Sequence, residues 1–246
     1  MGLIDFQTVL GRMLREQHRD DHMRGVSLEE REGRYLESLR GSAEFRFYAS
    51  VQRSWCIARA TKAAHLTLSL LPEEEREQLL DEWVSSGSGA QSFFRVEAES
   101  FLDFIGGRLS DRPCELTVSQ FERATLRASE GANVFVAPDP AFLKRPDCSL
   151  RRGNYAALVR FDAEPEQLAQ SAVQKHPLLA GLFSANLVVM FSPGLAQLWR
   201  APSAEEVDLW DALASPIAIG TLLAGGHAME TLETLLSEGA VEYAGD

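Results

Sequence analysis

The sequence predicts an α+β protein, an N-terminal helical domain followed by a small antiparallel sheet with three helices. Three observations lead there. Up to about residue 130, apolar residues recur at steps of three and four, the period of an amphipathic helix. From Asn154 onward, the stretch "NYAALVRFDA" alternates with a period of two, as a half-buried strand does. Turn-forming residues are scarce in the first half but punctuate the second, where Ser192, Pro193 and Gly194 separate two apolar runs.

In chain order, "LIDFQTVLGRMLREQ" and "SLEEREGRYLESL" open the helical domain. Ser27 and Glu30, three apart, read as a capping box at a helix start. One longer helix is expected over "EFRFYASVQRSWCIARATKAAHLTLSLL", with Phe45, Phe47, Tyr48 and Trp55 read as core. Pro72 followed by Glu73, Glu74 and Glu75 places a proline and three acids at the positive end of a helix dipole. "GSGAQSFFRVEAESFLDFIGGRL" and "LTVSQFERATLRA" continue the pattern, for five or six helices in all. This domain is placed at residues 1–135.

Residues 136–153, "VAPDPAFLKRPDCSLRRG", hold three prolines and no helical period, and read as an irregular connector between the domains. In residues 154–246 the first strand sets Tyr155, Ala157, Val159 and Phe161 on one face. "EPEQLAQSAVQK" reads as an inserted helix, and "NLVVMF" and "LAQLWRA" as a hairpin. Ser203 and Glu206 form a capping box for "AEEVDLWDALA", Ser215 and Pro216 open a second helix, and "AMETLETLLSEGAVEY" supplies a third, with Gly239 as its C-cap. A small sheet followed by three helices is the order of a winged helix.

The net charge of −12 is unevenly spread. Residues 1–62 carry 11 basic and 9 acidic side chains, whereas residues 201–246 carry 9 acidic and no basic ones. A winged helix that reads DNA neutralises phosphates with Lys and Arg. An acidic face opposes that use, so no nucleic-acid partner is expected, and a winged-helix transcriptional regulator stands as the alternative reading. No apolar run of about 18 residues is present and the first residues are charged, so neither membrane partner nor signal peptide is expected, and the protein is placed in the cytoplasm. Cys56, Cys114 and Cys148 lie far apart without C-x-x-C spacing and read as free thiols.

Catalytic signatures are absent from the sequence. His18 and His22 in "HRDDH" share a helical face beside Asp20 and Asp21, but no third metal ligand is placed near them, and a solvated helix end is the plainer reading. His65 reads as packed or surface-bound, His176 as a loop residue before Pro177, and His227 as an N-terminal cap of the last helix. No G-x-S-x-G, phosphate-binding loop or H-E-x-x-H occurs, and "GSG" at residues 87–89 reads as a linker. Arg151 and Arg152 read as lying at the junction of the two domains or, instead, as meeting an acidic surface on a partner.

A sheet edge offers another use of this scaffold, because it accepts an extended peptide as an added strand. "LAQLWRA" would be that edge, with the last helix walling the groove beside it. The helical N-terminal domain, "ERATLRA", "LVRFDA", "VVMFSPGLAQLWRAPSAEEVDLWDALA" and "LLSEGAVE" together resemble the partner subunits of multinuclear non-heme iron-dependent oxidases that modify ribosomally made peptides, of the methanobactin and 3-thiaglutamate biosynthesis types. The resemblance implies a non-catalytic accessory subunit. It would bind the leader of a precursor peptide and form a heterodimer with the iron oxidase, with no cofactor of its own and the irons in the partner. Carried onto this chain, it places the peptide-binding edge at Leu195, Gln197, Leu198, Trp199 and Arg200, and the wall at Leu232, Leu235 and Leu236.

Overall fold

The computed structural model describes residues 29–86, 94–163 and 184–244, with positions 5, 9–11, 13, 14, 170 and 173. The protein is mixed α+β, with two small antiparallel sheets. Two compact units divide the chain, Met1–Ser119 and Gln120–Asp246. The division falls inside a helix and places the second half of that helix, together with the whole stretch expected to be a connector, in the second unit.

The first unit is helical: α1 (Glu30–Arg40), α2 (Ala43–Ala63), α3 (His65–Leu70), α4 (Glu73–Ser85), α5 (Phe94–Arg108) and the start of α6 (Pro113–Ala132). The first cap is not the one expected. Helix α1 begins at Glu30, and the Glu32 carboxylate accepts from the N–H of Glu29 at 2.9 Å, while Ser27 lies outside the described residues. Ser42 caps α2 by accepting from the Phe45 N–H at 3.0 Å. The long helix expected through Leu71 is broken at Ala64 (φ −120°, ψ 37°), yet its buried stripe runs on through Ala60, Ala64, Leu68 and Leu71. Trp83 of α4 and Phe101 of α5 are both fully buried, edge to face with ring centroids 5.0 Å apart. The Glu97 carboxylate is buried between α2 and α5 and accepts from Arg59 at 2.7 Å, which meets the requirement that a buried charge be paired.

Only part of the aromatic expectation for α2 holds. Phe45 is buried, but Phe47, Tyr48 and Trp55 face solvent at 65%, 63% and 58% exposure. The stripe of Phe45, Ala49, Cys56 and Ala60 already fills the inward face, and the other three rings lie on the opposite side of the helix.

In the second unit a 3₁₀ turn (Pro140–Lys144) leads to β1 (Ser149–Arg152), β2 (Ala157–Ala163), β3 (Ser184–Phe191), β4 (Trp199–Arg200), α7 (Ala204–Ala212), β5 (Ile217–Ala218), α8 (Ile219–Ala224), α9 (Met229–Glu238) and β6 (Val241–Tyr243). One sheet has the order β5-β1-β6, the other β2-β3-β4, and all pairs are antiparallel. The stretch expected to be irregular thus contains β1, the central strand of a sheet. Its flanking strands β5 and β6 lie where a helix opening and a helix end were expected. Strands of two to four residues are too short to show a period, and their pairing is set by neighbours distant in sequence.

The β2-β3-β4 sheet is covered on both faces. Ala157, Val159, Phe161, Val189 and Phe191 pack against Phe121, Ala124 and Ala128 of α6, the face that the alternation of β2 predicts. Leu158 and Met190 turn the other way, into a core with Leu150, Leu209, Trp210, Ile219, Leu232, Leu235 and Val241. Ser203 caps α7 with Glu206 as expected, and Gly239 ends α9 in the left-handed conformation (φ 74°). The N-cap of α9 is Ala228, whose N–H donates to the Glu205 carboxylate at 2.9 Å, so His227 does not cap it. Arg151 and Arg152 belong to β1: the first pairs with its cross-strand neighbour Glu242 at 2.7 Å, and the second lies over the Trp210 ring and donates to the Trp210 carbonyl at 2.8 Å.

Candidate peptide-binding edge

With both faces of the β2-β3-β4 sheet covered, its edges are what it presents to a partner. Among the described residues β2 pairs only with β3, and its exposed Arg160 is held by Asp211 at 2.7 Å, a charged side chain of the kind that blunts an edge. On the other edge stands β4, with Phe191 opposite Trp199 and Met190 opposite Arg200.

The approach to β4 is a turn and not the strand expected over residues 195–200. Leu195 donates its N–H to the Ser192 carbonyl at 3.3 Å, Leu198 donates to Leu195 at 3.0 Å, and Ser192 donates to Leu198 at 2.9 Å. Leu198 takes a positive φ of 64°, a conformation costly for a branched side chain and supported here by its packing on the Phe161–Phe191 cluster. Leu195, Gln197 and Leu198 therefore line a turn beside the edge, and Trp199 and Arg200 alone form the edge strand.

Backbone geometry decides what that strand offers. The Ser192 N–H bond to the Leu198 carbonyl marks a hydrogen-bonded pair, so in an alternating antiparallel ladder Phe191 and Trp199 form a non-hydrogen-bonded pair. The N–H and C=O of Trp199 consequently point away from β3. Its indole, 36% exposed, lies on the α6 side, edge-on to Phe121 at 6.1 Å. Its helical spacing assigns α6 to the helical domain, and nothing in the sequence signals Phe121 at this edge.

Arg200 leaves the opposite face. Its guanidinium binds Glu206 at 2.5 Å and Glu238 at 2.7 Å, joining β4 to the start of α7 and the end of α9. The bonds to Glu206 and Glu238 raise the already high pKa of Arg200, and the bond from Arg200 holds the Glu206 carboxyl below its usual range. The turn is fastened to the same helix end: the Glu238 carbonyl accepts from the Gly194 N–H at 2.8 Å and from the Ser192 hydroxyl. A Cβ on Gly194 would sit 2.7 Å from that carbonyl oxygen, so only glycine permits the approach. Glu206 was legible as a cap, but its bond to Arg200 was not, and Glu238, 38 residues from Arg200, gave no sequence signal.

The expected wall does not form. Leu232, Leu235 and Leu236 are 0%, 0% and 1% exposed, in the core beneath the sheets, and α9 reaches the edge instead through Glu238. An amphipathic helix has one apolar stripe, and folding has used it. A separate open cavity of about 370 Å³ lies where β1 begins and β6 ends, lined by Phe142, Arg145, Cys148 and Tyr243 among others. The Tyr243 hydroxyl donates to the Asp139 carbonyl at 3.1 Å, and burial, ahead of the nearby Asp139 charge, raises its pKa.

Of the histidines, His65 is exposed at the start of α3, and His227 lies before α9. His18, His22, Asp20, Asp21, His176 and the "GSG" of residues 87–89 lie outside the described residues, as does "EPEQLAQSAVQK" apart from Gln170 and Val173. Among the described residues no group of three His, Cys, Asp or Glu side chains is placed to hold a metal ion. Cys56, Cys114 and Cys148 form no disulfide among the described residues. No described helix is long and apolar enough to cross a membrane. No protein family and no curated protein matches the chain.

Proposed function

We propose that this chain is a non-catalytic, cytoplasmic partner protein that binds the leader of a ribosomally made precursor peptide. It presents that peptide to a multinuclear non-heme iron oxidase with which it forms a heterodimer. In this reading the second unit is a winged-helix-like recognition domain, with α7, α8 and α9 as its three helices. The leader pairs with the outer edge of β4, accepting from the Trp199 N–H and donating to its carbonyl, and one of its apolar side chains rests on the indole.

The outward amide and carbonyl of Trp199, beside its half-exposed ring, are the observation that carries the reading. Arg200, tied to Glu206 and Glu238, holds the strand in place before any peptide arrives, which lowers the ordering cost of binding. The exposed carboxylates of Asp208, Glu230 and Glu233, on α7 and α9, favour a leader carrying Lys or Arg and disfavour a duplex.

Purification of the tagged chain from its native host tests the proposal, with mass spectrometry and iron analysis of what accompanies it. An equimolar iron-bearing enzyme is expected, together with a peptide that a photoreactive group at position 199 captures. Recovery of the chain alone, or capture that a scrambled peptide matches, would reject it.

A further inference from the structure

We infer that the open cavity at the start of β1 is a binding site for a free α-amino acid with a large apolar side chain. The inference concerns the second unit and does not depend on the peptide reading. The cavity, of about 370 Å³, falls within the range of roughly 300–1,000 Å³ that small-molecule sites occupy. One part of its lining is aromatic: Phe142 and Tyr243 meet edge to face with ring centroids 5.6 Å apart. Arg145 and Asp147 bring one guanidinium and one carboxylate to the lining, beside Cys148 and Ser149. The loop that carries them is fastened on both sides. Arg145 donates its N–H to the Phe142 carbonyl at 3.0 Å, and Cys148 donates to the Arg145 carbonyl at 3.1 Å. The carbonyls of Pro146 and Cys148, which flank Asp147, accept from the N–H groups of Gly220 and Ile219 at 3.0 and 2.8 Å. The bond from the Tyr243 hydroxyl to the Asp139 carbonyl fixes the second ring, so little ordering is left for a ligand to impose.

The two charges select the ligand. The Arg145 guanidinium approaches the Asp147 carboxylate no closer than 3.7 Å, too far for a hydrogen bond, and the two side chains are 58% and 75% exposed. An ion pair so open to water contributes little, so both groups can turn to a ligand at small cost. A plain anion or a plain cation would each meet one like charge here. A zwitterion meets none. Its carboxylate takes the Arg145 fork, its ammonium, across a single carbon, takes Asp147, and its side chain lies on the rings of Phe142 and Tyr243. The guanidinium is 5.8 Å from the centre of Phe142, which puts the charged and apolar parts of the site side by side, as they are in such a ligand.

Equilibrium dialysis of the full chain against radiolabelled L-phenylalanine provides the test, with the rate of Cys148 alkylation by N-ethylmaleimide reporting the place of binding. Uptake is expected at about millimolar strength, as suits a small ligand in an open site. At about 10 mM the amino acid should slow Cys148 alkylation roughly ten-fold and leave Cys114, in the helical unit, unchanged. Arg145→Gln and Asp147→Asn should each weaken binding about five-fold or more with an unchanged melting temperature, since both side chains face water. N-acetyl-L-phenylalanine keeps only the carboxylate and L-phenylalaninamide only the ammonium, and each should bind more weakly by a similar factor. No uptake at about 10 mM, uptake that neither substitution weakens, or uptake that leaves Cys148 as reactive as before overturns the inference. Equal binding of either single-charge analogue overturns the assignment of a free amino acid.

Discussion

The helical unit and the mixed unit differ in what their contacts between distant residues hold together: in the first they join helices that are each specified locally, and in the second they secure the pairing of the strands themselves. In the first, helices with one apolar face each converge on Trp83, Phe101 and their neighbours, and its capping contacts close over three residues. In the second, the contacts that fasten the edge strand join residues far apart: Arg200 to Glu238, Ser192 to the Glu238 carbonyl, Arg151 to Glu242. The first unit therefore rests on burial along locally specified helices. The second rests on the right strands meeting in the right register, and its proposed binding edge exists only once that has happened.

Removing core volume from the helical unit should have the largest effect. Trp83→Ala is expected to cost about 3–5 kcal/mol, because the ring is fully buried and its cavity would be lined by Phe101. Urea unfolding followed separately in each unit would measure it, and an equal loss in the second unit would contradict independent cores.

Next comes the Arg200 bridge. Arg200→Met should destabilise the second unit by about 1–3 kcal/mol, since it leaves Glu206 and Glu238 without their partner while about a quarter of the arginine is already open to water. The bridge also carries a pH signature. Glu206 has a depressed folded-state pKa, so its contribution is present above the unfolded carboxyl value of about 4.3 and is lost as pH falls through the folded value. Acid titration of the wild type should show that loss in the second unit, and the Met variant should lose less there between neutral and acid pH. Identical acid slopes would show that the bridge does not stabilise the unit.

The smallest change in stability is expected from Trp199→Ala, within about 1 kcal/mol, because the ring is partly exposed and packs chiefly on Phe121. Its effect on peptide affinity should be the larger one, read by fluorescence anisotropy with the peptide captured at position 199. Full affinity in that variant would move the peptide away from this edge.

Much of the architecture was legible. Helical periodicity marked the first unit, alternation marked β2, and Ser203, Glu206 and Gly239 marked the ends of α7 and α9, because each of these signals lies within a few residues of chain. The candidate site was only half legible. Trp199 and Arg200 do stand on an edge strand, but the run read as strand before them is a turn through a left-handed Leu198, and residue type gives no warning of a leucine at φ 64°. Leu232, Leu235 and Leu236 have the spacing of a helical face, which identifies a face without saying what covers it.

The sequence by itself determined which stretches become helix or long strand, where two helices are capped, and how charge is divided along the chain, since local sterics, periodicity and composition decide these. Tertiary structure alone decided that a proline-rich stretch supplies a central strand, that the leucines of α9 turn inward while Phe47, Tyr48 and Trp55 turn outward, and that Arg200 finds Glu238. Those outcomes depend on which surfaces meet when the chain closes on itself, and that competition for burial and pairing is settled between residues far apart in sequence.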